Sequence, residues 1–371
     1  RWPAAEHGRS RLLLEAQLAM VRSFVPAQSR AAAEHLSRFA DLSGSTPEER
    51  TLLTQLALVG RYRSDPHQQV AEHARRALCD GALFDDGARG AGLVPWGLSL
   101  ISLVTAGGVE EARVELDRAR LRVRRAGSPF DFSLVSNGDM VLAWRTGDVV
   151  AAETAAESIL SAVRHEPPTS EVVSLRATAT RFACYAAMER RDLPAALRLL
   201  EEYDAARDGV EVVPGAWLLE IRARCALADN DPHRALRLLD ALRAELDGSG
   251  ADPASLAWRL AAAVAHARAG DDERASEVLA EQMALARQWG EPSDAGAALR
   301  VAARFETDPE VRAERLDEAV AVLESAHDRL ELAKALTDRA ETWRVLGRRT
   351  EAWAGLGAAA ELAEACGSAA V

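Results

Sequence analysis

The chain has 371 residues and a net charge of -12, with 57 acidic side chains against 45 Lys plus Arg, which excludes phosphate-backbone binding as its main work. Hydrophobic residues reach 48% and aromatics only 5%, a balance that excludes disorder by composition and favours helix throughout. The four cysteines (79, 184, 225 and 366) form no CxxC pair and read as apolar thiols of a reduced, cytoplasmic protein.

Arg1-Trp2-Pro3 opens without Met or an apolar leader, so the expectation is a segment that begins inside a larger polypeptide. Ser10 to Phe24 and Ala27 to Phe39 predict a first helix hairpin. Pro47 to Tyr62 predicts the next helix, broken at Ser64-Asp65-Pro66 and followed by a partner carrying Ala74 and Leu78. Cys79 to Val94 is too Gly-rich for helix and is expected to be irregular; its Gly87, Gly90 and Gly92 follow no strand and make no dinucleotide loop.

Gly90 to Val109 carries no charge over 20 residues. Pro95 and Gly107-Gly108 confine its helix to Trp96 to Ala106, about 16 Å at roughly 1.5 Å per residue, against about 30 Å of hydrocarbon core. The reading is a buried helix and no membrane span. Arg118, Arg120, Arg122, Arg124 and Arg125 end the following helix and read as a solvated face that complements its dipole rather than an anion site.

From there the chain repeats. Turn signals stand at Gly107-Gly108, Gly147-Asp148, Arg191-Asp192, Asn230-Asp231, Gly270-Asp271 and Gly347-Arg348; successive second residues are 40, 44, 39 and 40 apart, then 77 for two units. Four residues after this anchor stand Ala112, Ala152, Ala196, Ala235, Ala275 and Ala352. Eight after it stand Leu116, Ala156, Leu200, Leu239, Leu279 and Leu356. Eight before it stand Leu100, Met140, Cys184, Ala223, Ala263 and Ala340. A small residue four before a larger one on one face lets two helices cross closely.

A unit with a longer turn at Asp308-Pro309 restores the step at Ala319 and Leu323, and Gly209 to Pro214 reads as an inter-repeat loop. Helix, short turn, helix, with Ala four after the turn, resembles the tetratricopeptide repeat (TPR), although the period is nearer 40 than 34. The expected fold is all-α, a right-handed superhelical solenoid of about nine TPR-like hairpins forming one domain across 1–371.

No chemistry-bearing motif accompanies the repeat. Lys334, the single lysine, sits in Leu332-Ala333-Lys334-Ala335-Leu336, so no P-loop exists. His165-Glu166 runs into Pro167-Pro168, Gly248-Ser249-Gly250 is no nucleophile elbow, and His67 and His73 lie six apart, off a shared face. The chain is expected to be no enzyme and to hold no metal or cofactor. First helices line the concave side of such arrays, and the register projects Asn137, Val141, Trp144 and Arg145 there from one central repeat. Arg181, Tyr185, Met188 and Glu189 follow from the next, then Trp217, Glu220, Arg224 and Leu227. Aromatic, Arg and amide groups together suit a small-molecule effector or a protein partner's peptide, whereas Trp144 and Trp217 could equally pack between repeats.

Between about Asp252 and Gly367 the sequence resembles something more specific. Asp252-Pro253-Ala254 with Trp258-Arg259, then Ala284-Leu285-Ala286-Arg287-Gln288-Trp289-Gly290, Ala298-Leu299-Arg300, Leu316-Asp317-Glu318-Ala319-Val320, Arg329 to Leu336 and Gly347-Arg348-Arg349 are similar to the C-terminal repeats of large ATP-binding LuxR-type (LAL, maltose-activator-like) regulators. The resemblance implies an ATPase module, a helical-repeat sensor and a LuxR-type helix-turn-helix in that order, of which this chain is the middle. The matched positions are packing and turn positions, and no catalytic residue carries over. The function so implied is ligand sensing and protein interaction within a LAL transcriptional regulator, with secondary metabolism a candidate target and homo-oligomers compatible. The alternative is a free-standing TPR scaffold that binds peptides of a partner protein.

Overall fold

One turn geometry, used six times, sets the architecture. The first turn residue takes a left-handed backbone at Gly107, Gly147, Arg191, Asn230, Gly270 and Gly347, with φ between 58° and 89°. The N–H of the next residue then closes back five positions, as from Asp148 to the Ala143 carbonyl at 2.8 Å and from Asp271 to the His266 carbonyl at 3.0 Å. Where that residue is Asp, its carboxylate also caps the following helix: Asp148, Asp192, Asp231 and Asp271 accept from the amides of Ala151, Ala195, Arg234 and Arg274 at 2.8 to 3.1 Å. A single dipeptide thus ends one helix and starts the next.

The structure, a computed structural model, describes residues 11–19, 22, 34–87, 92–126 and 128–371, and of residues 124–126 the backbone only. Among these, eight complete hairpins follow one another. They are α1 (Pro47–Arg63) with α2 (His67–Leu78), α3 (Val94–Thr105) with α4 (Val109–Ala126), α5 (Pro129–Arg145) with α6 (Val149–Ala162), and α7 (Ser170–Glu189) with α8 (Leu193–Ala206). Then come α9 (Leu218–Ala228) with α10 (Pro232–Ser249), α11 (Trp258–Arg268) with α12 (Asp272–Trp289), α13 (Pro292–Ala303) with α14 (Pro309–Glu324), and α15 (Arg329–Val345) with α16 (Arg349–Cys366). No strand occurs among the described residues. Of the hairpin expected over 10–24 and 27–39, residues 11–19 and 34–39 are helical, and 10, 20, 21, 23, 24 and 27–33 lie outside the described residues.

The residue columns fall in the seams. All six residues eight before the anchor are fully buried, as are the six alanines four after it to within 3%. The column eight after it is buried up to Leu279 and fails at Leu356, 37% exposed on α16. Two further expectations are corrected. Residues 79–94 are not irregular throughout: Ala82–Asp86 forms a helical turn because Leu83 and Phe84 have a core to enter, Phe84 packing edge-on to Trp96 at 5.3 Å. Arg120 and Arg122 near the end of α4 are not simply solvated, since Arg120 pairs with Asp139 of the next hairpin at 2.7 Å and Arg122 with Asp85 of the Ala82–Asp86 turn.

The solenoid winds tightly enough to touch itself. Ser64 donates to the Asp252 carbonyl at 3.2 Å and accepts from the Ala254 amide at 2.7 Å; Gln288 donates to the Ser64 carbonyl at 3.0 Å. Arg329 donates to the Thr146 carbonyl at 3.0 Å, and the Ala369 amide to the Glu189 carbonyl at 2.9 Å. These partners are roughly four to six 40-residue repeats apart, so successive superhelical turns stack on one another. No described helix is long and apolar enough to cross a membrane.

Candidate functional site

The first helices of the hairpins turn one face inward and enclose a cavity of about 240 Å³, room for an organic molecule rather than a water or two. Helical periodicity decides which side chains reach it. On α5 these are Leu134, Asn137, Val141 and Trp144, and on α7 Ser174, Thr178, Arg181 and Tyr185, each set spaced by three or four residues. α1 adds Arg61 and Tyr62, while Asp294 of α13 and Asp328, Glu331 and Lys334 around the start of α15 close the far side. The wall is therefore shared between two superhelical turns.

An aromatic shelf forms its middle. Trp144 stacks on Tyr185 at 5.1 Å and meets Phe182 edge-on at 5.8 Å, and Trp217 meets Tyr62 edge-on at 5.4 Å. The Tyr185 hydroxyl donates to Glu220 at 2.8 Å, and burial pushes its pKa up to about 12. Glu220 is wholly buried and also binds Arg224.

On one side every charge has a counter-charge. Arg145 binds Glu291 and Asp294, the latter at 3.1 Å. Burial opposes its charge, but the two carboxylates hold its pKa above the usual Arg value. Glu291 accepts from the Asp294 amide at 3.2 Å as the N-cap of α13, and Asp294 accepts from the Trp289 indole at 2.8 Å. Lys334 bridges Glu189 at 2.7 Å and Glu331 at 3.1 Å, and Arg300 reaches Glu331 at 3.0 Å. Burial raises Asp294 to about 6 and Asp328 to about 7; the nearby charge of Glu331 pushes Asp328 further the same way. Glu331 moves in the opposite direction, because Arg300 and Lys334 outweigh its burial.

No family model matches the sequence, and no curated protein matches it. Solved structures do match. A Rap protein complexed with competence and sporulation factor aligns over 97% of this chain and 99% of its own, at 12% identity and a TM-score of 0.53. The apo form of the quorum sensor NprR from B. thuringiensis aligns over 96% and 99%, at 13% identity and a TM-score of 0.51. The fold is a TPR-like helical solenoid.

Of the residues projected onto the concave side of this TPR-like array, Asn137, Trp144, Arg145, Arg181, Tyr185, Glu189, Trp217 and Arg224 line the cavity. Glu220 does not, since Tyr185 and Arg224 lie over it; Met188 and Leu227 are likewise off the wall. Trp144 and Trp217 both pack between repeats and face the cavity. Sequence reasoning missed Arg61, Tyr62, Asp294, Asp328, Glu331 and Lys334, which reach the wall only because the solenoid winds back on itself. Their one sequence signal was Lys334, the lone lysine in a chain of arginines. No group of side chains suited to a metal occurs among the described residues.

Proposed function

We propose that this chain is the ligand-sensing and protein-interaction repeat domain, one domain across 1–371, of a LuxR-type (LAL) transcriptional regulator acting in the cytoplasm. The observation that carries the reading is the shared wall: Arg61 and Tyr62 from one superhelical turn and Asp294 and Lys334 from the next face a single cavity. A ligand touching both turns binds their stacked arrangement better than an opened one and so biases the pitch of the whole array. Neighbouring modules joined to it would feel that change. The solved neighbours lend support, one being complexed with a factor and the other described as a quorum sensor. The regulator class rests on the ordered resemblance between Asp252 and Gly367.

The test is small-angle scattering and Trp emission of the 371-residue chain during titration with effector and peptide libraries. A bound effector is expected to change both the emission of Trp144 and Trp217 and the overall dimensions. Ligands that bind without altering the dimensions would refute sensing by pitch. The parent reading frame should encode a P-loop before this segment and a helix-turn-helix after it; a frame with neither would favour the free-standing scaffold.

A further inference from the structure

Five cations line the cavity, and their partners differ. Arg145, Arg224 and Lys334 each hold a carboxylate, in Glu291 with Asp294, in Glu220, and in Glu189 with Glu331. Arg61 and Arg181 hold none among the described residues. Arg181 donates only to the Tyr185 hydroxyl, at 3.1 and 3.2 Å, and Arg61 has its guanidinium 5.1 Å from the Tyr62 ring with a buried Nε that finds no acceptor. Burial disfavours the Arg61 charge, and the nearby Arg181 charge disfavours it further.

A third donor stands beside Tyr62 and Arg181. Trp217 is 5% exposed, and its indole N–H is buried without a partner. Its ring meets Tyr62 edge-on at 5.4 Å and lies 5.6 Å beneath the Arg181 guanidinium. Unpaired buried donors and an uncompensated pair of cations are costly to a folded protein, and such an arrangement persists where a ligand supplies the missing counter-charge. Arginine is the side chain that matches planar oxyanions with paired N–H groups.

The geometry points to an oxyanion pole in this cavity: Arg61, Arg181 and the Trp217 N–H together receive the carboxylate or phosphate of a ligand whose apolar body lies along the Tyr62, Trp144 and Tyr185 rings. This deepens the effector reading proposed above and rests on the same cavity. Apolar contacts from Leu98, Ile101, Leu134 and Leu256 continue the wall beside those rings, so a small aromatic or aliphatic acid fits and a bare inorganic ion leaves most of the space unfilled.

The test is calorimetric titration of the 371-residue chain with 1-naphthaleneacetate, its uncharged analogue 1-naphthaleneacetamide, and 1-naphthyl phosphate. At least one anion is expected to bind about tenfold or more tighter than the amide, the ratio of a charge-assisted to a neutral hydrogen-bond set. Arg61→Gln and Arg181→Gln should abolish that preference while leaving the amide's affinity unchanged, Trp217→Phe should weaken it, and the exposed Arg120→Gln should leave it intact. Which anion binds tighter identifies the group. Ligand-free Arg61→Gln should melt no lower than the parent, because it removes a desolvated charge, and this separates a lost site from a lost fold. Equal affinity for amide and anions, a preference surviving both Arg substitutions, or no binding by any of the three overturns the oxyanion pole. Equal affinities still leave an effector cavity standing, whereas an anion preference with unchanged scattering dimensions keeps the pole and removes the sensing reading.

Discussion

Two kinds of seam hold this molecule together, and they are built from different chemistry. The seams within and between successive hairpins are apolar and repetitive: Ala235 or Ala275 at each crossing, Leu239 or Leu279 one turn on, Ala223 or Ala263 opposite, all buried. The seam between superhelical turns mixes apolar contacts, such as Leu330 and Cys366 on Val149 and Ala186, with polar contacts that do not repeat. Its polar part, the polar seam, sets Ser64 against Asp252 and Ala254, Arg145 against Glu291 and Asp294, Arg329 against Thr146, and Lys334 against Glu189. Apolar burial supplies most of the stability of a solenoid and needs only the right volume at the right spacing. Buried ion pairs add little net stability but fix which partner meets which. The repeat thus makes the array, and the polar contacts are expected to select its pitch.

The largest effect should come from breaking the polar seam at its most buried pair. Arg145 is 11% exposed in its side chain, with Glu291 at 5% and Asp294 at 9%. Arg145→Met leaves two carboxylates buried without a cation, a loss expected at about 3 to 5 kcal/mol. Denaturant unfolding would measure it, and scattering should show the turns parting. A loss under about 1 kcal/mol with unchanged dimensions would mean that this seam does not set the pitch.

A matched pair of turn glycines sharpens the same contrast. Gly147 and Gly270 occupy the same turn position with φ of 76° and 82°, but a Cβ on Gly147 would lie 2.6 Å from the Leu330 backbone nitrogen, whereas one on Gly270 meets nothing within 4 Å. Gly270→Ala carries only the left-handed strain, about 1 kcal/mol after the unfolded-state gain. Gly147→Ala adds overpacking against Leu330 and Cys366 of the next superhelical turn, for a total of roughly 2 to 4 kcal/mol. Equal melting temperatures for the two variants would show that the seam yields freely at Leu330.

The two seams also differ in how far they could be read from the sequence. The apolar columns were legible because every hairpin imposes the same steric demand at the same offset, and the expectation failed only at Leu356, which is exposed on α16. The inward faces of α5 and α7 were legible for a related reason, since helical periodicity alone places Asn137 with Trp144 and Arg181 with Tyr185. The polar seam was not, because its register depends on small rotations summed over four or more repeats. Glu220 shows a second limit: it shares a face with Trp217 and Arg224, but two long neighbours close over it, which spacing does not reveal.

Acid titration probes the seam more gently. Asp328 caps α15 through the Glu331 amide at 3.0 Å, and burial with the Glu331 charge raises its pKa to about 7. An acid whose folded pKa is raised binds its proton more tightly when folded. Its contribution to stability is therefore full below about pH 4 and is lost as pH rises through about 7. Asparagine caps equally well and never ionises. Asp328→Asn should match the parent at pH 4 and exceed it increasingly as pH rises to 8. A difference independent of pH would show that Asp328 is not the titrating group.

The smallest effect belongs to the repetitive side and tests whether its turns are interchangeable. Arg191 takes φ 60° where four of the six turns have glycine, and its exposed side chain makes no ion pair among the described residues. Left-handed strain on a residue with a Cβ costs about 1 to 2 kcal/mol, while glycine gives back roughly 0.4 to 1 kcal/mol through the freer unfolded chain. Arg191→Gly should therefore stabilise the array by about 0.5 kcal/mol, read as a small rise in melting temperature. Asn230→Gly should change almost nothing, because asparagine already tolerates this conformation. A destabilised Arg191→Gly would mean that the α7–α8 turn has an individual partner after all, and so belongs with the polar seam rather than with the repeat.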